Sequence, residues 1–206
     1  MLINIIHPHT YKGRGDSLII GGCPENEVRD QKVADYVTKA LDTNVAVLLH
    51  SEFTGSFLES IMRASIISMD PIFKIMEDDR IEEIYTRSNG KPLPKEKPSE
   101  ISQDLWDYLA KYCINHSDLK SKTTASSSFV FIGGMTEACV VNAAIYFHDH
   151  YRTNGQELFY VPELCVPFPK ELLTENKIHY PEKIIENLNK KVKPITYQEA
   201  LHLLPI

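Results

Sequence analysis

Apolar residues in this chain fall into short solid runs and helical stripes, separated by polar, Pro- and Gly-bearing stretches. Leu2-Ile-Asn-Ile-Ile6 opens as a strand, the spacing of Val28, Val33, Val37 and Leu41 predicts a helix over 25–41, and the Val- and Leu-rich run 44–49 predicts a second strand. That order is a βαβ unit. Further on, 57–68 reads as a helix, 81–86 as a strand and 102–112 as a helix with Ser102 as N-cap. Strand, helix and strand recur between Phe129 and Val161, and helices over 180–189 and 196–204 close the chain. Such alternation predicts an α/β fold, a three-layer sandwich whose central parallel sheet is flanked by helices on both faces. Ligands then bind beyond the carboxyl ends of the strands.

Two stretches interrupt the pattern. Arg87 to Ser99 holds three prolines and three lysines and cannot continue a helix or a central strand, so it reads as a loop. The polar run Asn115 to Ser128 reads as a surface excursion ahead of the next strand. Neither an internal repeat nor a long low-complexity tract is present.

Size and charge narrow the function classes. A chain of 206 residues with 43% hydrophobic and 24% charged residues supports one well-buried core, so a single domain over 1–206 is expected. A net charge of −6 argues against nucleic acid or an anionic membrane as partner, since both need a positive surface. No apolar run approaches the roughly 20 residues needed to span a bilayer. The opening Met-Leu-Ile-Asn-Ile-Ile reads as a strand rather than a signal peptide. Cys23, Cys113, Cys139 and Cys165 are widely spaced with no C-x-x-C pair, which reads as reduced thiols in a cytoplasmic protein.

The candidate chemistry lies in Ser128-Phe-Val-Phe-Ile-Gly-Gly-Met-Thr-Glu-Ala-Cys139-Val. A buried strand, a Gly-Gly turn and an Ala-rich helix place Cys139 near a helix N-terminus. Unpaired N–H groups and the positive dipole end there favour a thiolate and can hold a substrate oxyanion. A small buried cysteine at a strand–helix junction is the alternative reading.

Gly134-Met-Thr-Glu-Ala-Cys-Val140, with Gly133 ahead of it, resembles the Gly-x-x-Thr-x-x-Cys-Val signature of the isochorismatase-like cysteine hydrolases, the superfamily of nicotinamidases, isochorismatases and related amidases. The likeness continues through Glu157-Leu-Phe-Tyr-Val161, His179 to Leu188 and Lys193-Pro-Ile-Thr-Tyr-Gln-Glu-Ala-Leu201, and covers about 129–204. It implies hydrolysis of a small molecule, most readily an amide or other C–N bond, through a covalent intermediate on Cys139. No cofactor is implied. Relatives pair or form tetramers, so a homodimer or larger assembly is expected, with Tyr146 and Phe147 as interface material. A non-catalytic relative that keeps the fold to bind a ligand or partner is the alternative.

The resemblance also implies an acid at the end of the first strand and a lysine. The first strand ends in His7 with no Asp, so the base is sought among His7, His9, Asp16, Glu25 and Glu52, with His7 placed in the catalytic set because a Cys–His pair is a workable couple. Lys95 matches the lysine, with Lys91 and Lys97 as neighbours. Backbone N–H groups of Gly134, Met135 and Ala138 are the expected oxyanion donors, aided by a cis Gly134–Met135 bond. His7, His9, His50 and Glu52 form an imidazole–carboxylate set, but the Asp-x-His of metal-binding relatives is missing and no metal is expected. His148-Asp-His150 is read as cations suiting a helix C-terminus. Arg14-Gly-Asp16 is read as a chance match to an adhesion tripeptide.

Overall fold

The computed structural model describes residues 1–7, 24–52, 75, 78–86, 97, 103, 106–107, 116–134, 136–166 and 181–205. In chain order these give β1 (Leu2–Ile6), α1 (Pro24–Asp42), β2 (Ala46–Glu52), β3 (Ile81–Thr86), α2 (His116–Ala125), β4 (Ser128–Gly133), a π-helical turn (Thr136–Val140) running into α3 (Val141–His150), β5 (Glu157–Tyr160), a 3-10 turn (Pro162–Leu164), α4 (Pro181–Asn189), β6 (Lys193–Pro194) and α5 (Tyr197–His202). The six strands form one sheet in the order β3-β2-β1-β4-β5-β6. Every pairing is parallel, as the alternating pattern predicts.

Solid apolar runs form the strands because both faces of the sheet are covered. Ile3, Ile5, Val47, Leu49, Val130 and Ile132 point to one side, where they meet Val33, Tyr36, Val37, Ala40 and Leu41 of α1 and Ala200 of α5. Leu2, Ile6, Leu48, Ile84, Phe129 and Phe131 point to the other, against Ala143, Ala144 and Phe147 of α3 and Leu188 of α4. A sheet flanked on both faces is the three-layer sandwich the pattern calls for. Phe147 is the hub of the second layer, with ring centroids 5.5 Å from Phe131, 6.1 Å from Phe129 and 5.6 Å from His50.

The polar run 115–128 differs from the expectation of a surface excursion. Residues 116–125 form α2. Leu119 is its buried anchor, the hydroxyls of Thr124 and Ser126 donate to the carbonyls of Lys120 and Lys122, and Lys122 pairs with Glu82 of β3 at 2.6 Å. One buried leucine and these polar contacts hold a helix whose apolar pattern is too sparse to announce itself. At the chain's end Thr196 caps α5 in a capping box with Glu199. The helices expected over 57–68 and 102–112 lie largely outside the described residues.

Candidate active site

The sheet order places a topological switch point between β1 and β4. From β1 the chain winds outward through β2 to β3, and from β4 it winds the opposite way through β5 to β6. A crevice opens beyond the carboxyl ends of strands that diverge in this way. His7 and the segment Gly133 to Cys139 stand at that end, since Ile6 is paired with Gly133.

The turn after β4 is tightly held. Gly133 adopts φ +110, a region glycine enters freely. The Gly134 N–H donates to the Ile6 carbonyl at 2.5 Å, Val166 N–H donates to the Gly134 carbonyl at 3.0 Å, and Thr136 N–H donates to the Val166 carbonyl at 2.9 Å. A Cβ on Gly134 would lie 2.6 Å from Cys139 Sγ, 2.7 Å from the Ile6 carbonyl oxygen and 3.1 Å from that of His7. Glycine is therefore needed at 134 because the thiol of Cys139 and the main chain leaving β1 close onto the same backbone. Cys139 occupies the first turn of the helical segment, which opens in π geometry before continuing as α3. It is only 3% exposed.

Around the end of β1 the described side chains form a buried polar group. His7 has φ 40, its N–H donates to the His50 carbonyl at 3.0 Å, and its Nε2 lies 2.6 Å from Thr86 Oγ1. His50 Nε2 is 3.1 Å from Asn4 Oδ1, and His50 Nδ1 is buried without a hydrogen-bond partner. Burial, and then the neighbouring His7, push the His50 pKa down to about 3, so the ring is neutral at ordinary pH. Cys165 adjoins the turn from the other side. Burial drives its pKa up to about 12; the Arg29 charge, the Gly133 backbone and the Thr136 hydroxyl oppose that shift, and Cys139 adds to it.

No family sequence model and no curated sequence matches the chain, so the likeness to known proteins is one of shape. The zinc-bound pyrazinamidase of Pyrococcus horikoshii superposes with a TM-score of 0.51 over 95% of this chain and 98% of its own, at 16% identity. An isochorismatase-like hydrolase from Alkaliphilus metalliredigens gives 0.53 over 98% and 96%, at 13% identity. The fold is that of the isochorismatase-like hydrolases. A ribonuclease from Caenorhabditis elegans also superposes, at 0.53 over 98% of this chain and 79% of its own, with 8% identity. One isochorismatase-like fold thus stands under proteins of different names, and the chemistry has to be argued from the site.

Within this isochorismatase-like frame the structure brings the Cys139 thiol and the His7 main-chain carbonyl onto Gly134, while the His7 imidazole is turned to Thr86 of β3. Lys95, Met135, His9 and Asp16 lie outside the described residues, as do the side chains of Glu25, Glu52 and Ala138. The expected cis Gly134–Met135 bond falls there too. Gly134, read as an oxyanion donor, has its N–H on the Ile6 carbonyl, which leaves Met135 and Ala138 of that set. Among the described residues no group of three or more His, Cys, Asp or Glu converges.

Sequence reasoning missed Arg29 and Asp30. They are 7% and 2% exposed and paired at 2.5 Å, and Arg29 Nη1 donates to the Gly133 carbonyl at 3.1 Å. The available signal was the position of Asp30 three residues before Val33 on the apolar stripe of α1, which aims a charged residue at the core. His148 and His150 end α3 as expected, with Asp149 bound to Lys191 at 2.7 Å.

Proposed function

We propose that this chain is a cysteine-dependent hydrolase of a small molecule carrying an amide or related C–N bond. The observation that carries the reading is Cys139 Sγ set against Gly134 at the switch point of an isochorismatase-like fold, in the first turn of a helix. A base takes the thiol proton and the sulfur attacks the carbonyl carbon. The oxyanion formed is met by the backbone N–H groups of Met135 and Ala138. The C–N bond then breaks, the amine leaves with a proton from the base, and water attacks the thioester to release acid and restore the thiol. His7, at the end of β1, is the proposed base, and Lys95 the proposed cation that lowers the thiol pKa. The assembly is proposed to be a homodimer or larger.

Ammonia release from a panel of primary amides, with intact-mass detection of an acyl adduct, tests the reading. Turnover lost in Cys139→Ala supports it. A second reading, a non-catalytic relative that binds a ligand in the same crevice, is favoured by the burial of Cys139 among Ile6, Phe131 and Val140 and by the missing carboxylate at the end of β1. It prevails if the panel is inert and Cys139 is unreactive while small carbonyl compounds raise the melting temperature.

A further inference from the structure

We propose that Arg29, held by Asp30, is a positioning residue for Cys139: it fixes the plane of the Gly133–Gly134 peptide on which the thiol rests. The inference deepens the hydrolase reading and rests on it. Gly133 ends β4, whereas the β4–β5 ladder closes at Phe131 and Tyr160, with Val161 N–H on the Phe131 carbonyl. The buried Gly133 carbonyl therefore lies past its sheet neighbour, and a buried acceptor left unmet is destabilising. Arg29 Nη1 meets it at 3.1 Å from α1. On the other edge of the same planar unit, the Gly134 N–H is bound to Ile6 at 2.5 Å. A peptide is rigid about its C–N bond, so contacts on opposite edges stop it from rocking. Val166 holds the next carbonyl, and the thiol has no room to move inward.

The remainder of the guanidinium argues for this specific use. Arg29 Nη2 lies against Asp30 Oδ1 at 2.5 Å and Nε is buried without a hydrogen-bond partner, so Nη1 is the nitrogen aimed at the nucleophile turn. Asp30 supplies the counter-charge that lets the guanidinium be buried. One directed contact, to the carbonyl before the nucleophile turn, is what the arrangement secures.

The test is the pH profile of Cys139 alkylation by iodoacetamide, with amide hydrogen exchange at Gly134 and Thr136, in wild type, Arg29→Lys and the Arg29→Met/Asp30→Asn double variant. The double variant removes the contact and its counter-charge together, so no lone charge stays buried. We expect it to slow alkylation about tenfold or more, to move the profile to higher pH, and to speed exchange at the two turn amides but not at Val130. Lysine keeps the charge and one donor but not the plane, so Arg29→Lys changes both readouts less and in the same direction. Wild-type profile and exchange in a folded double variant overturn the proposal. Should that variant not fold, wild-type behaviour of Arg29→Lys in both readouts overturns it equally. If Cys139 of the unaltered chain reacts no faster than Cys165, the hydrolase reading fails, and the exchange data still decide whether Arg29 holds the turn.

Discussion

His50 and Asn4 face each other across β1 and β2, with Asn4 Oδ1 accepting from His50 Nε2 at 3.1 Å in a site where both residues are fully buried. Because an amide oxygen can only accept, the imidazole proton sits on Nε2, and Nδ1 keeps a bare lone pair inside the protein. A second proton would have to be buried without a counter-charge.

Acid should therefore cost this protein stability through His50. Its pKa falls from 6.5 to about 3 on folding, so between those values the unfolded chain binds the proton and the native one does not. Stability is full above pH 6.5 and declines as pH falls, by up to about 1.4 kcal/mol per pH unit from this group. Urea unfolding at pH 7, 6 and 5 should show a steeper loss in wild type than in His50→Gln. Parallel curves would remove His50 as the source.

Cys139 and Cys165 should separate in reactivity. Burial holds Cys165 protonated up to about pH 12, whereas Cys139 occupies a helix's first turn. Peptide mapping of iodoacetamide labelling at pH 7 should find Cys139 modified first by a factor of about 10 or more. Equal rates in the folded protein would count against a nucleophilic Cys139.

Gly134→Ala should damage the turn. The new methyl carbon meets Cys139 Sγ at 2.6 Å and the Ile6 carbonyl oxygen at 2.7 Å, and the latter, being backbone, yields little. A loss of about 1–3 kcal/mol in urea unfolding is expected, with slower Cys139 alkylation in the fraction that stays folded. Unchanged stability would mean that the backbone opens more readily than this packing allows.

His7→Ala should slow hydrolysis by about 10² or more if the imidazole is the base. Loss of the contact to Thr86 alone would alter stability without that drop in kcat. Glu52→Gln and Asp16→Asn are the comparison variants: turnover that survives at position 7 and collapses at one of these moves the base to a carboxylate.

The sheet was legible because runs such as Leu2–Ile6 and Ser128–Gly133 are apolar on both faces, a demand only a covered parallel sheet makes. Cys139 was legible because Gly-Gly before an Ala-rich segment encodes a strand–helix junction. Helix α2 was not, since a single leucine anchors it and its remaining support is polar, part of it from Glu82 and Gln156 far along the chain. The Arg29–Asp30 pair escaped for another reason. Its meaning depends on a carbonyl 104 residues away, a separation at which local patterns carry no information. The place of His7 at the end of β1 could be read from the strand pattern, but its tie to Thr86 of β3 joins strands whose order only the fold reveals.

The backward twist of the chain at His7 has a bearing on how such a site could be re-engineered. A φ of 40 is reached by few side chains, and His, Asn and Asp are the ones that tolerate it. The wall that β1 presents to Gly134 is made of the Ile6 and His7 carbonyls, which are main-chain atoms and do not depend on the side chain at position 7. A swap of His7 for Asp would thus exchange one proton acceptor for another and leave the wall standing. Position 7 behaves as a socket, in which one side chain can be exchanged for another while the scaffold around it stays the same.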